Sequence, residues 1–184
     1  MIGSVRGKVT LKTSKYIIVE TGGVGYKVSV TPETISKIKE EAFLWTHAYV
    51  REDAIDLYGF PDRDTLGFFE LLLTVPTIGP KSALAILGVA SLETLHRAIS
   101  SSDTSYLTKV SGIGRKTAEK IVLELKDKVA EGTEVSLKGE LDALEALRSL
   151  GYSQSEAREA LKKVNNSGDA SSKIKEALKI LGGR

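Results

Sequence analysis

LLTVPTIGPKSALAIL (72–87) and LTKVSGIGRKTAEKIV (107–122) align without a gap at a constant offset of 35 residues. Seven of the sixteen positions are identical: Leu72/Leu107, Val75/Val110, Ile78/Ile113, Gly79/Gly114, Lys81/Lys116, Ala83/Ala118 and Ile86/Ile121. Ser82 matches Thr117 in kind. Identity this dense and in register reads as a duplicated structural unit.

Each copy spells a helix, a short glycine-containing turn, and a second helix that begins near Lys81 or Lys116. Gly79 and Gly114 are expected to supply positive φ and to leave the turn open. The turn amides and the free N–H groups of the following helix then face outward, where the helix dipole favours an anion. Lys81 and Lys116 add a full charge beside that site, and Ser82 and Thr117 add hydroxyl donors. Ile78 and Ile113 plug the turn into the core. Amides cannot read bases, so such a site holds phosphates, and two of them should straddle a duplex groove. Two other readings compete. GRKT superficially resembles the nucleotide-binding P-loop, but that loop needs glycine directly before its lysine, and neither copy has one. An ordinary helical turn with a C-cap glycine would explain a single GIG but not its in-register duplication.

Residues 1–60 read as β-structure. Short β-rich runs lie at Val5–Leu11, Tyr16–Thr21, Tyr26–Val30, Phe43–Val50 and Ile55–Phe60. GGVGYKV (22–28) places flexible glycines between two strands, as a tight hairpin needs. Five short strands in so few residues suggest a small closed barrel of OB type. After Pro61 the pattern turns helical up to about Lys128. AEGTEVSLKG (130–139) is polar and poor in large apolar residues, and reads as a flexible linker. Beyond it, three apolar stripes predict three helices: Leu141/Leu144/Leu147, Ala157/Ala160/Leu161/Val164 and Ile174/Ala177/Leu178/Leu181. Gly151 ends the first of these, and Ser153 with Glu156 forms a capping box for the second. The expected organisation is α+β and multidomain. A barrel occupies 1–62 and an all-α tandem-hairpin domain 63–129. A linker at 130–139 then leads to a three-helix bundle at 140–184.

Composition narrows the function. The net charge is +2, and the middle third, 63–130, holds the whole excess, with nine Lys/Arg against seven Asp/Glu. Nucleic-acid binding by bulk charge would need more, so DNA contact must rest on placed groups. Aromatic residues make up only 6%, which argues against an extended base-stacking platform. The chain has no cysteine, which excludes disulfides and thiolate metal sites. No signal-peptide pattern and no long apolar run is evident, so a soluble, cytoplasmic protein is expected, with no membrane partner. Glu52 and Asp53 lie between two predicted strands and should tip a hairpin, which pattern alone reads as a solvated acidic turn. A nuclease would recruit Glu52, Asp53 and Asp56 to metal, yet strand alternation puts Asp53 and Asp56 on different faces. His47 and His96 read as isolated, structural residues.

MIGSVRGKV at the start, GGVGYKV, VREDAIDLYGF (50–60), GPKSALAIL (79–87) and GIGRKTAEKIVLELKD (112–127) together resemble the RuvA family of Holliday-junction branch-migration subunits, in order and spacing. The resemblance runs from end to end. It implies an OB barrel, a double helix-hairpin-helix domain, and a ubiquitin-associated-type bundle on a tether. It also implies a homotetramer on an open, planar four-way DNA junction, which two tetramers can sandwich. The partners implied are a ring ATPase motor, RuvB, and a resolvase, RuvC; no catalytic residue, cofactor or metal is implied. The DNA-binding positions it points to are Thr77, Gly79, Lys81, Ser82, Gly112, Gly114, Arg115, Lys116, Thr117 and Lys120, with Arg51 beside the acidic turn. Thr77 stands where the family often has a glycine, so its side chain either adds a hydroxyl contact or restricts the turn. Glu52 and Asp53 resemble an acidic pin that repels phosphates and parts strands at the crossover. Leu144, Leu147, Leu150, Gly151, Tyr152 and Leu161 are the positions implied for motor docking; a bundle packed on its own body is the plainer alternative. A generic double-hairpin factor for plain duplex and a metal-dependent nuclease remain the alternative functions.

Overall fold

The computed structural model describes residues 1–164 and 170–182, with backbone alone for 130–141, 162 and 170. The chain divides into two compact units, Met1–Asp127 and Lys128–Arg184.

The first unit opens with five strands: β1 (Ser4–Lys12), β2 (Tyr16–Thr21), β3 (Val24–Ser29), β4 (Glu41–Val50) and β5 (Ile55–Phe60). They close into a barrel in the order β1-β2-β3-β5-β4, with β3 and β5 parallel and the other pairs antiparallel. Alternation fills the interior with Val5, Ile17, Val19, Val28, Leu44 and Leu57, all buried. The β2–β3 hairpin turns on Gly22 and Gly23, both at positive φ, so the glycine run does what a two-residue turn requires. A short helix, α1 (Pro32–Lys37), lies between β3 and β4. It was not expected, yet its signal is present: Thr31 caps it and Pro32 sits in its first turn.

Four further helical segments complete this unit: α2 (Arg63–Leu73), α3 (Pro80–Leu87), α4 (Leu92–Ser100) and the start of α5 (Arg115–Ser149), with a 3-10 turn at Leu107–Lys109. The boundary expected at 62/63 does not separate independent bodies. Phe69 of α2 stacks against Phe60 at 4.7 Å and against Tyr58 and His47 at 5.4 Å, so the barrel and the helices share a core. His47 also meets Glu70 at 3.0 Å. His96 of α4 packs on Phe68 at 4.9 Å, and burial lowers its pKa despite the opposing pull of Asp64. Neither histidine is isolated; both fasten α2.

The linker expected at 130–139 lies inside α5, whose backbone is helical from Arg115 to Ser149. The segment contains Ala, Glu, Leu and Lys and no proline, and a glycine inside a helix costs only about 1 kcal/mol. In the second unit, the end of α5 joins α6 (Gln154–Lys163) and α7 (Ala170–Gly182) around Leu147, Ala157, Ala160 and Ala177. Gly151 at φ 95° ends α5, and the Ser153/Glu156 capping box opens α6.

Candidate nucleic-acid interface

The two repeats fold alike, bond for bond. In the first, Val75 N–H donates to Leu72 O at 3.1 Å, Ile78 N–H to Val75 O at 3.1 Å and Ala83 N–H to Gly79 O at 2.9 Å. In the second, Val110 N–H donates to Leu107 O at 3.1 Å, Ile113 N–H to Val110 O at 3.0 Å and Ala118 N–H to Gly114 O at 3.0 Å. The apolar identities are all buried: Leu72, Val75, Ile78, Ala83 and Ile86, and their counterparts Leu107, Val110, Ile113, Ala118 and Ile121. The polar identities Gly79/Gly114 and Lys81/Lys116 are all exposed. The duplication therefore preserves a core on one side and an open turn on the other.

The left-handed residue is not the one expected. Positive φ falls on Thr77 (82°) and Gly112 (86°), two places before Gly79 and Gly114. Gly79 instead has φ −93° and ψ 172°, an extended cap conformation open to any residue. A side chain has room at both positions too, because a Cβ at Gly79 or Gly114 would meet nothing within 4 Å. Neither backbone strain nor crowding inside the chain calls for glycine there.

Capping makes the same contrast. Helices α1, α2, α4 and α6 have their first amides satisfied by the side chains of Thr31, Asp62, Ser91 and Ser153. Helix α3 starts at Gly79 with no side-chain cap, and α5 follows Gly114, which has no side chain to offer. The N–H groups of Lys81 and Ser82 in one turn, and of Arg115, Lys116 and Thr117 in the other, are thus left for an outside acceptor. Pro80 removes one donor from the first turn. Lys81, Lys116 and Lys120 are exposed, while Ser82 and Thr117 are half-buried at the turn. Arg115 is held by Glu119 at 2.9 Å on the helix surface.

The acidic turn is a two-residue hairpin tip. Val50 pairs with Ile55, and Arg51 N–H donates to Ala54 O at 2.8 Å, leaving Glu52 and Asp53 exposed at the apex. Arg51 folds back along the strand, 3.1 Å from Asp56 and 6.0 Å above the Tyr49 ring. Among the described residues, no group of three or more acidic or histidine side chains is placed to hold a metal ion.

In the second unit, the positions singled out for docking separate sharply. Leu147 is fully buried, and Leu144, Leu161 and Tyr152 pack partly buried around it. These form the bundle's own core, since a leucine stripe at helical spacing is what holds three helices together. Leu150, 59% exposed, and Gly151 remain on the surface.

Three family models match this chain: the RuvA N-terminal domain over residues 1–59, a SAM-like helix-hairpin-helix tandem over 69–127, and the RuvA C-terminal domain over 141–182. The chain belongs to the RuvA family. Its relatives include the Holliday junction branch migration complex subunit RuvA of Clostridium perfringens, 37% identical over 96% of this chain and 97% of that protein. The subunits of the same name from Clostridium beijerinckii (39% identical, 97% and 98% covered) and Mycobacterium bovis (40%, 99% and 98%) are similar along nearly their whole length. The tandem match spans both turns, so the family's hairpins and the duplicated bonding pattern fall on the same residues.

Proposed function

We propose that this chain is the junction-binding, non-catalytic subunit of a branch-migration complex in DNA recombination and repair. The observation that carries the reading is the pair of matched, uncapped turns: two cradles with the same backbone bonds, whose Gly79 and Gly114 the fold itself does not require. Each cradle takes a DNA phosphate, Gly79, Lys81 and Ser82 in one and Gly114, Lys116 and Thr117 in the other. Thr77 and Gly112 set the turn backbone, while Arg115, Lys120 and Arg51 add charge nearby. In a homotetramer the exposed tips at Glu52 and Asp53 gather at the crossover and turn strands outward by repulsion. ATP hydrolysis falls to a motor of the RuvB kind, and a RuvC-type resolvase cuts. Leu150 and Gly151, with the edge of Tyr152, are the docking face of the second unit. Among the described residues no single helix is long and apolar enough to cross a membrane, and the proposed setting is the cytoplasm.

Competition binding tests this reading. Several hairpin pairs acting at once should favour a four-way junction over linear duplex by about 100-fold or more. Equal affinity for the two would overturn the junction assignment and leave a plain duplex binder.

A further inference from the structure

We propose that Val50 and Ile55 form an apolar wedge that contacts the base pair next to the crossover of a four-way junction. At 67% and 71% exposure they are the most exposed large apolar side chains on the described barrel strands. They are cross-strand partners, so both stand on one side of the β4–β5 ribbon, directly behind the acidic tip. The next pair on that side, Ala48 and Leu57, belongs to the barrel core, and Leu57 is buried. The wedge therefore continues the barrel's interior face past its rim. The other side of the ribbon is polar, carrying Tyr49, Arg51 and Asp56, with Arg51 and Asp56 paired at 3.1 Å.

What can lie against this apolar side is limited by its neighbours. Glu52 and Asp53 repel phosphates, so a strand that reaches this side meets it with its bases rather than its backbone. Base faces are uncharged, and apolar side chains set against a base step unstack it. The ribbon leads the pair directly into the tip, so whatever approaches the tip meets the wedge next. The proposal rests on the junction-centre reading of Glu52 and Asp53.

The test uses the full chain and a four-way junction carrying 2-aminopurine, which brightens when unstacked, either beside the crossover or well along one arm. Wild type should raise fluorescence at the crossover and not in the arm. The double variant Val50→Thr, Ile55→Thr keeps the β-branched shape, so the hairpin stays paired. It should lose more than about half of the rise while junction affinity stays within about threefold, because the phosphate cradles are untouched. A full rise in the variant overturns the wedge. A smaller assembly on sedimentation also overturns it, since the pair would then join copies of the chain. Absence of any rise with wild type, with no change in migration for Glu52→Gln, Asp53→Asn, would overturn the junction-centre reading itself.

Discussion

Replacing Thr77 with glycine should stabilise the first unit. Thr77 has φ 82°, almost the value of Gly112 at the equivalent place, but it is β-branched. A side chain in this region costs roughly 1–2 kcal/mol, and β-branched residues are rare there. Glycine removes that strain but adds about 0.5–1 kcal/mol of chain entropy on unfolding. The net gain is about 0.5–1 kcal/mol, which in urea is a midpoint rise of about 0.2–0.5 M. Trp45, the sole tryptophan, stands on β4 with Arg63 of α2 4.7 Å above its ring, so its fluorescence follows the barrel and α2 together. The reverse change, Gly112→Thr, should lower the midpoint by a similar amount. The exchange Thr77→Gly, Gly112→Thr should come out near zero, because it moves the strained residue from one copy of the turn to the other. A drop in stability for Thr77→Gly would refute the reasoning, for it would mean that the threonine side chain holds the turn more than it strains it.

Other outcomes follow from the same geometry. Gly114→Ala should change stability by no more than about 0.5 kcal/mol yet weaken junction binding about tenfold, since the new Cβ enters the open space proposed for a phosphate; unchanged affinity in filter binding would remove the cradle role. Lys81→Ala and Lys116→Ala should each reduce the salt slope of binding by about one per bound copy, about three to four for a tetramer on a junction, equally for all sequences. A change confined to certain sequences would contradict phosphate contact. His96 has its pKa lowered from 6.5 by burial, so the unfolded chain takes up its proton first as pH falls. Its contribution is flat above 6.5, and stability is lost as pH drops below that value toward the folded pKa. His96→Phe should abolish this part of the acid slope in urea melts at pH 7.5 and 5.5, and a parallel slope in the variant would place the titration elsewhere. Leu150→Asp should leave junction binding intact and reduce stimulation of the motor's ATPase; full stimulation would move the docking face.

The barrel was legible because its strands alternate and its hairpin glycines are in sequence. The expected run Val5–Leu11 became Ser4–Lys12, and Tyr16–Thr21 and Ile55–Phe60 were met at both ends. Helix α1 escaped because six residues are too short for periodicity, although Thr31 and Pro32 mark its start. The segment 130–139 is polar, as linkers are, but its two glycines are too few to stop a helix already begun. The leucines implied for docking divide by burial. Periodic spacing identifies the face that is buried, and Leu147 is fully buried; the exposed Leu150 lies one step outside that stripe. In the turns, identity between repeats pointed to Gly79 and Gly114 as the strained positions. The strain sits where the repeats differ, at Thr77 and Gly112, since packing around the buried Ile78 and Ile113 fixes the backbone whichever residue occupies it.

That displacement separates two kinds of constraint on the same turn. Gly112 answers to the backbone, and Thr77 shows that the backbone prevails even against a poor residue. Gly79 and Gly114 answer to nothing within the chain, so their presence in both copies is explained by what comes from outside. A bare amide cradle has no means of choosing a base, and the charge excess of 63–130 is too small to hold duplex unaided. One copy placing Lys81 and Lys116 on two phosphates gives a salt slope near −2, whereas four copies give about −7. On the proposed reading, preference for a four-way junction is therefore a property of how copies are arranged around the acidic tips. A measured slope near −2 on a junction would place a single hairpin pair in contact and leave the geometry of the crossover unread.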